Sequence, residues 1–328
     1  MSRQSAITGE IVFIGKLAQA ETGDTLSAVD QPVAFEPWLL PEPLLPVALK
    51  AASRNDEDKL AAALQRLLVE DPAVRLERAP GTDQLLLWTL GPTHHDLLLN
   101  RLSNKFGVSY TSEPIKTALR ETFIAPATGH GRHVKQSGGH GQYAVCDIRV
   151  EPNERGAGFE FIDEVVGGAV PRQFIASVEK GIRGQLDDGV LTGHRMVDVK
   201  VTLFDGKAHS VDSSDMAFQA AGALAIKDAA NTKNVALLEP FDQLQVEIED
   251  EYLGAVLGDL SARRGQVLGT DLPEPGKTLV RALVPQSELS RYAIDLRGLA
   301  HGTGKFTRSF HGYELLPEQL AAEIIRQS

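Results

Sequence analysis

The sequence predicts an α+β multidomain chain in which two similar units flank a middle of a different kind. Two observations carry this. The order βαββαβ can be read between residues 43 and 112 and again between 241 and 315, with a chain of 328 residues giving room for two to four domains. Between them, about 120 residues follow another strand and helix pattern and begin with a stretch unusually rich in Gly, Lys, Arg and His.

The elements follow in order. Residues 1–28 suggest two short strands with a Gly-Asp turn, the tail of a β domain, and the Pro-rich 29–43 reads as a linker. PLLPVALKA is a strand. In NDEDKLAAALQRLLVEDP, Leu60, Leu64, Leu67 and Leu68 fall on one helical face, with Asn55 or Asp56 placed to cap it. VRLER (74–78) and QLLLWTL (84–90) form a hairpin around Pro80-Gly81, THHDLLLNRLSNKFG a helix stopped by Gly107, and VSYTSE a last strand. This first unit is a split βαβ, or ferredoxin-like, arrangement. The second repeats it: FDQLQVEIED, a helix over 252–264 closed by Gly265, the pair QVLGTDL and KTLVRALVP, the helix SELSRYAIDLRGLA, the strand GKFTRSFHGYEL, then a short amphipathic helix.

In the middle, 125–145 contains no Asp or Glu but holds Arg132, Lys135, His130, His133 and His140, and HGRH (130–133) with His140 reads as solvated loop residues. The strand YAVCDIRVE, then FEFID, precede the helix PRQFIASVEKGIRGQLDDG, with Pro171 at its first turn and Gly189 past its end. An alternating strand (196–203) runs into Asp205-Gly206, a turn signal, which sets Lys207, His209 and Ser210 near a projecting turn before the helix opened by Ser213-Ser214.

Composition excludes several classes. A net charge of −11 argues against coating nucleic acid by bulk charge, while leaving room for a local basic patch. The single Cys146 cannot form an internal disulfide, which fits a reducing cytoplasm. No apolar run is long enough to span a bilayer, and the N-terminal residues lack a signal peptide's apolar core. No membrane partner is expected.

Several motifs fail on inspection. In GLAHGTGKFT (298–307) a phosphate loop would need Gly where Leu299 stands and Ser or Thr where Phe306 stands. HGRH (130–133) with His140 and Cys146 matches no zinc spacing, so no metal is expected. His94-His95-Asp96 opens a helix, where Asp96 suits the dipole. His209, Ser210 and Asp212 lie close in sequence, but a turn offers a triad no enclosure, and caps and turns account for Asp212, Ser213 and Ser214. No catalytic residue is expected.

Longer stretches are more specific. KQSGGHGQY, GFEFIDEVVGGAVPRQFIASVEKGI, HSVDSSDMAF, LLEP, GAVLGDLSARRGQVLG and YAIDLRGLAHGTGKFTRSF together resemble the C-terminal half of bacterial elongation factor G, in the family's order and over essentially the whole chain. The resemblance implies that 1–36 is a remnant of the β-barrel second domain with its linker. Residues 37–116 and 239–328 would be the ferredoxin-like third and fifth domains, and 117–238 the fourth, a ribosomal-protein-S5-like α/β domain that mimics tRNA.

The family places the loops matching Ser137, Gly138, Gly139, His140, Gly141 and Gln142, and Lys207, His209 and Ser210, at the tip of its fourth domain. There they contact the tRNA–mRNA duplex at the decoding centre during translocation. Lys135, Arg263, Arg264, Arg297, Lys305 and Arg308 are ribosome-facing basic candidates. Turn chemistry alone leaves His209 an ordinary exposed residue; the motif around it makes it functional. The implied partners are both ribosomal subunits with their RNA and the tRNA–mRNA duplex, for a monomeric cytoplasmic protein. No cofactor is expected in this chain. GTP and Mg would be bound by a domain of the parent protein absent here, so this chain alone should not hydrolyse GTP.

The chain departs from the family at GPTHHD (91–96), where Gly-Glu-Leu-His-Leu-Asp is usual, and at His140, where an Arg is common. These departures suggest an elongation factor G-like paralogue. The alternative is a ribosome-binding factor without translocase activity, serving recycling, antibiotic protection or regulation; protection proteins share the architecture but differ in the tip loops. A metal-dependent or hydrolytic enzyme ranks last.

Overall fold

Leu60, Ala63, Leu64 and Leu67 recur at the three- and four-residue spacing of one helical face, and all four are buried. They seat α1 (Glu57–Glu70) on a sheet formed by β1 (Leu45–Ala51), β2 (Arg75–Arg78), β3 (Leu85–Thr89) and β4 (Tyr110–Glu113). α2 (Pro92–Asn100) connects β3 to β4 and passes into a single π-helical turn at Arg101–Lys105. The computed structural model describes residues 5–15, 17, 20–36, 38–135 and 141–327. It divides into two units, residues 1–78 with 84–114 and residues 79–83 with 115–328.

In the first unit the strand order is β2-β3-β1-β4 and every pairing is antiparallel. That is the ferredoxin-like arrangement. Leu64, Leu67, Leu87, Leu98 and Leu102 form its core at 0–1% exposure. The two short strands expected within 1–28 are not formed among the described residues; an isolated bridge between Ala28 and Gln31 is the only pairing before β1. No barrel is closed among the described residues. Ile11, Phe13, Val29 and Leu39 stay almost wholly exposed, with no sheet among the described residues to bury them.

The second unit holds two sheets. The first has the order β6-β7-β9-β8, from β6 (Ala127–Lys135), β7 (Gln142–Pro152), β8 (Phe159–Asp163) and β9 (Val199–Ala208). β8 and β9 run parallel, joined through α3 (Arg172–Asp188). α3 and α4 (Asp215–Ala229) cover one face, packing Val178, Ile182, Phe218 and Ala225 on Ile148, Val201 and Leu203.

The second sheet has the order β11-β12-β10-β13, built from β10 (Val235–Glu249), β11 (Gln266–Glu274), β12 (Lys277–Pro285) and β13 (Lys305–Leu315). α5 (Leu253–Ala262) and α6 (Tyr292–Leu299) complete a second βαββαβ unit, and α7 (Glu318–Gln327) follows. β10 begins earlier than its sequence pattern suggests. Its residues 235–238 pair with β5 (Arg120–Phe123), so the boundary expected at 238/239 falls inside a strand.

Two expectations in the middle segment need correction. Residues 127–135 are not a loop but strand β6. The glycines that hide the strand in the sequence are required by it: a Cβ on Gly129 or Gly131 would lie 2.0 or 1.9 Å from the carbonyl oxygens of Ala225 and Ala221 in α4. Asp205-Gly206 is not a turn either. β9 continues through it to Ala208, absorbing one extra residue opposite Asp147 and Ile148, and the chain reverses only at 209–213.

Candidate nucleic-acid interface

At one end of the β6–β7–β9 sheet, β6 stops at Lys135, β7 starts at Gln142, and β9 stops at Ala208. The turn after β9 is held by its own side chains. Ser213 Oγ accepts the His209 N–H at 2.8 Å and donates to the Tyr143 carbonyl at 2.7 Å. His209 Nδ1 accepts the N–H groups of Val211 and Asp212 at 3.3 and 3.2 Å. A nitrogen that accepts carries no proton, so the proton sits on Nε2, the ring's remaining donor. The His209 side chain is 50% exposed. Asp212 Oδ2 also stands 3.2 Å from Nδ1.

Asp212 joins this turn to the first loop. Its Oδ1 accepts the Gly141 N–H at 3.0 Å and its carbonyl accepts the Tyr143 N–H at 2.8 Å. The Tyr143 and His209 rings lie 6.0 Å apart, tilted. Ser214 then caps α4, accepting the Ala217 N–H at 3.2 Å. Local rules identify Asp212 and Ser213 only as turn and cap residues; their partners Gly141 and Tyr143 lie about 70 residues away, and no local pattern reveals them.

Of the residues singled out in the sequence, Gly141, Gln142, Lys207, His209 and Ser210 gather at this end, with Lys135 beside them. Lys135, Lys207, His209 and Ser210 are exposed. Gln142 is half-buried, and its Oε1 accepts from His133 Nε2 at 2.8 Å. Ser137, Gly138, Gly139 and His140 lie outside the described residues.

Two of the other histidines have acidic partners within the fold. His130 Nδ1 is 2.7 Å from Asp147, and His94 bonds Asp71 at 2.9 Å while accepting the Leu90 N–H. Among the described residues no cluster of His, Cys, Asp or Glu could hold a metal. Cys146 is fully buried; desolvation, helped by the Asp147 charge, pushes its thiol up to about 12.

Known proteins match the chain segment by segment. Residues 40–114 match elongation factor G domain III, 115–233 match elongation factor G domain IV, and 236–324 match the elongation factor G C-terminus. The chain belongs to the elongation factor G family.

It is 57% identical over 320 residues to an elongation factor G-like protein of Mycobacterium tuberculosis (strain CDC 1551 / Oshkosh), covering 98% of this chain and 45% of that one. Against elongation factor G of Aquifex pyrophilus the identity is 41% over 323 residues, covering 98% and 46%. A solved structure from Thermus thermophilus superposes with a TM-score of 0.78 at 38% identity, over 90% of this chain and 45% of that one. The chain spans about half the length of the curated relatives it matches.

The part matching the elongation factor G C-terminus holds its cations differently from the expected basic face. Arg263, 16% exposed, donates to Asp259 at 2.8 Å and to Asp295 and the Glu288 carbonyl at 2.7 Å. Burial alone would lower its pKa, but the bonds to Asp259 and Asp295 outweigh it and hold the guanidinium above its ordinary value. Arg264 pairs with the buried Glu239 and with Glu288. Arg308 binds the buried Asp242 at 2.6 Å. These three are committed within the fold, whereas Arg297 and Lys305 are exposed. No helix among the described residues is long and apolar enough to cross a membrane.

Proposed function

We propose that this chain is the ribosome-engaging arm of an elongation factor G-type translational GTPase, and that it promotes tRNA–mRNA translocation through the loops around Gly141 and His209. The observation that carries this reading is the Asp212 junction, which ties Gly141 and Tyr143 to the turn at 209–213 and leaves His209 Nε2 as a donor there. An imidazole N–H donor and the exposed Lys207 and Lys135 suit phosphate oxygens and 2′-hydroxyls without demanding a base sequence. A factor that acts on every codon needs that indifference. In this reading no covalent chemistry falls to these residues. GTP and Mg belong to a part of the parent protein outside these 328 residues. The partners are both ribosomal subunits and the tRNA–mRNA duplex in the cytoplasm. The protein acts as a monomer.

A second reading is a ribosome-binding factor that recycles, protects or regulates without translocating. It is favoured by GPTHHD at 91–96 and by the 57% identity to a relative named elongation factor G-like. One experiment separates the two. Toeprinting of pre-translocation ribosomes with the intact parent protein and GTP should show movement by one codon, slowed at least tenfold by His209→Ala. Ribosome-stimulated GTP hydrolysis without movement would favour the second reading.

A further inference from the structure

The face of the β6–β7–β9 sheet turned away from α3 and α4 carries a row of side chains that begins at Lys207 and runs beyond the loops above. Gly129 and Gly131 abut α4, so their neighbours His130, Arg132 and Val134 point to the opposite, open face. Register extends each row across three strands: Arg132 pairs with Val145 and Val145 with Lys207. Arg132 and Lys207 therefore stand on the same face, two strand spacings or about 10 Å apart. Both are exposed, and neither has an ion-pair partner among the described residues. This contrasts with Arg263, Arg264 and Arg308, which are all neutralised in place. Tyr143 lies two residues from Val145, on the same open face and nearer the loop end. The next row away from the loops reverses sign, with Asp147 and Asp205 beside His130.

We propose that this open face extends the RNA-contact surface beyond the loops, continuous with them at Lys207, and takes a single strand with its phosphates across Arg132 and Lys207 and a base against Tyr143. Charge complementarity selects the occupant: in a chain of net charge −11, two unpaired cations and an aromatic ring share one face of adjacent strands, as single-strand binding surfaces require. The row of Asp147 and Asp205 repels phosphate and sets the border, so the strand is confined to the end nearest the loops. Alternation matters here. A one-residue slip of β6 would turn Arg132 toward α4 and dismantle the site.

The choice of RNA as the polyanion rests on the function proposed above, but the test does not use ribosomes, so a parent that fails to translocate leaves its result untouched. Binding of a fluorescein-labelled oligouridylate to this chain is measured by anisotropy across a salt series. Arg132→Gln with Lys207→Gln should weaken binding about fivefold to tenfold at low salt and reduce the salt slope by about 1.4, the share of two single-strand phosphate contacts. Tyr143→Leu should weaken binding at least about fivefold with the slope unchanged. Arg132→Lys with Lys207→Arg should bind like wild type. The substituted side chains of the glutamine variant are exposed, so an unchanged thermal midpoint is expected and checks that it folds. No wild-type binding at low salt, an unchanged affinity and slope in the glutamine variant, or binding of anionic phospholipid vesicles in place of the oligonucleotide would each overturn the proposal.

Discussion

The Asp212 carboxylate accepts the backbone N–H of Gly141 at 3.0 Å across 71 residues of sequence. A Cβ on Gly141 would stand only 3.1–3.3 Å from that same carboxylate, so the glycine permits the approach. The two loops thus meet through a backbone group on one side and a side chain on the other. This keeps the contact independent of the side chains that face outward.

Asp212→Ala should release the first loop. Losing a hydrogen bond to a carboxylate costs about 1.5–3 kcal/mol locally, which corresponds to at least tenfold faster hydrogen exchange at the Gly141 amide. The global unfolding midpoint should hardly move. Unchanged exchange at Gly141 in this variant would show that Asp212 does not hold the loop.

Glu121 gathers five donors onto one buried carboxylate. It is fully buried, and its carboxylate accepts the N–H groups of Val190, Leu191, Thr192 and His194 and the Thr192 hydroxyl. Its strand, β5, also pairs with β10. Glu121→Ala leaves those donors unsatisfied and should destabilise the unit by about 3 kcal/mol or more, read from urea unfolding. A loss below about 1 kcal/mol would mean that the 190–194 segment finds other acceptors.

His194 gives this region a pH dependence. Burial lowers its pKa, the nearby Glu121 charge raises it, and Arg120 lowers it again, with a net fall below the ordinary value of 6.5. The folded protein therefore favours neutral imidazole, and the unfolded chain takes up the proton first as pH drops. The stability this contributes is complete above the unfolded value and is lost as pH falls through the folded one. Wild type should lose more of its urea midpoint between about pH 7.5 and about pH 5 than His194→Gln does. Parallel profiles would exclude the effect.

Gly131→Ala should be severe for its size. The added methyl meets the Ala221 carbonyl oxygen at 1.9 Å, and that group belongs to the helix backbone, so β6 and α4 must separate. Overpacking of this kind costs about 3 kcal/mol or more, and a thermal midpoint several degrees lower is expected. A midpoint equal to wild type would show that the strand can shift without penalty.

Elements that rest on local periodicity were legible in the amino-acid order alone. Leu60, Leu64 and Leu67 mark α1, and the recurring order of strands and helices gives both ferredoxin-like units, because burying one face requires a regular spacing. The long motifs were specific enough to place the chain in its family. What local pattern could not decide was set by contacts distant in sequence. Gly129 and Gly131 read as loop residues, yet they make a strand because α4 lies against them. Asp205-Gly206 reads as a turn, but pairing with β7 across Cys146 and Asp147 keeps it extended. Arg263, Arg264 and Arg308 read as a basic face, until acids on other elements close on them. The resemblance placed the segments holding Gly141 and His209 at one tip, but the hydrogen bond of Asp212 to Gly141 had no local sequence signal. A hydrogen bond between residues 71 apart has no periodicity, and only the packing of the three strands brings its ends together.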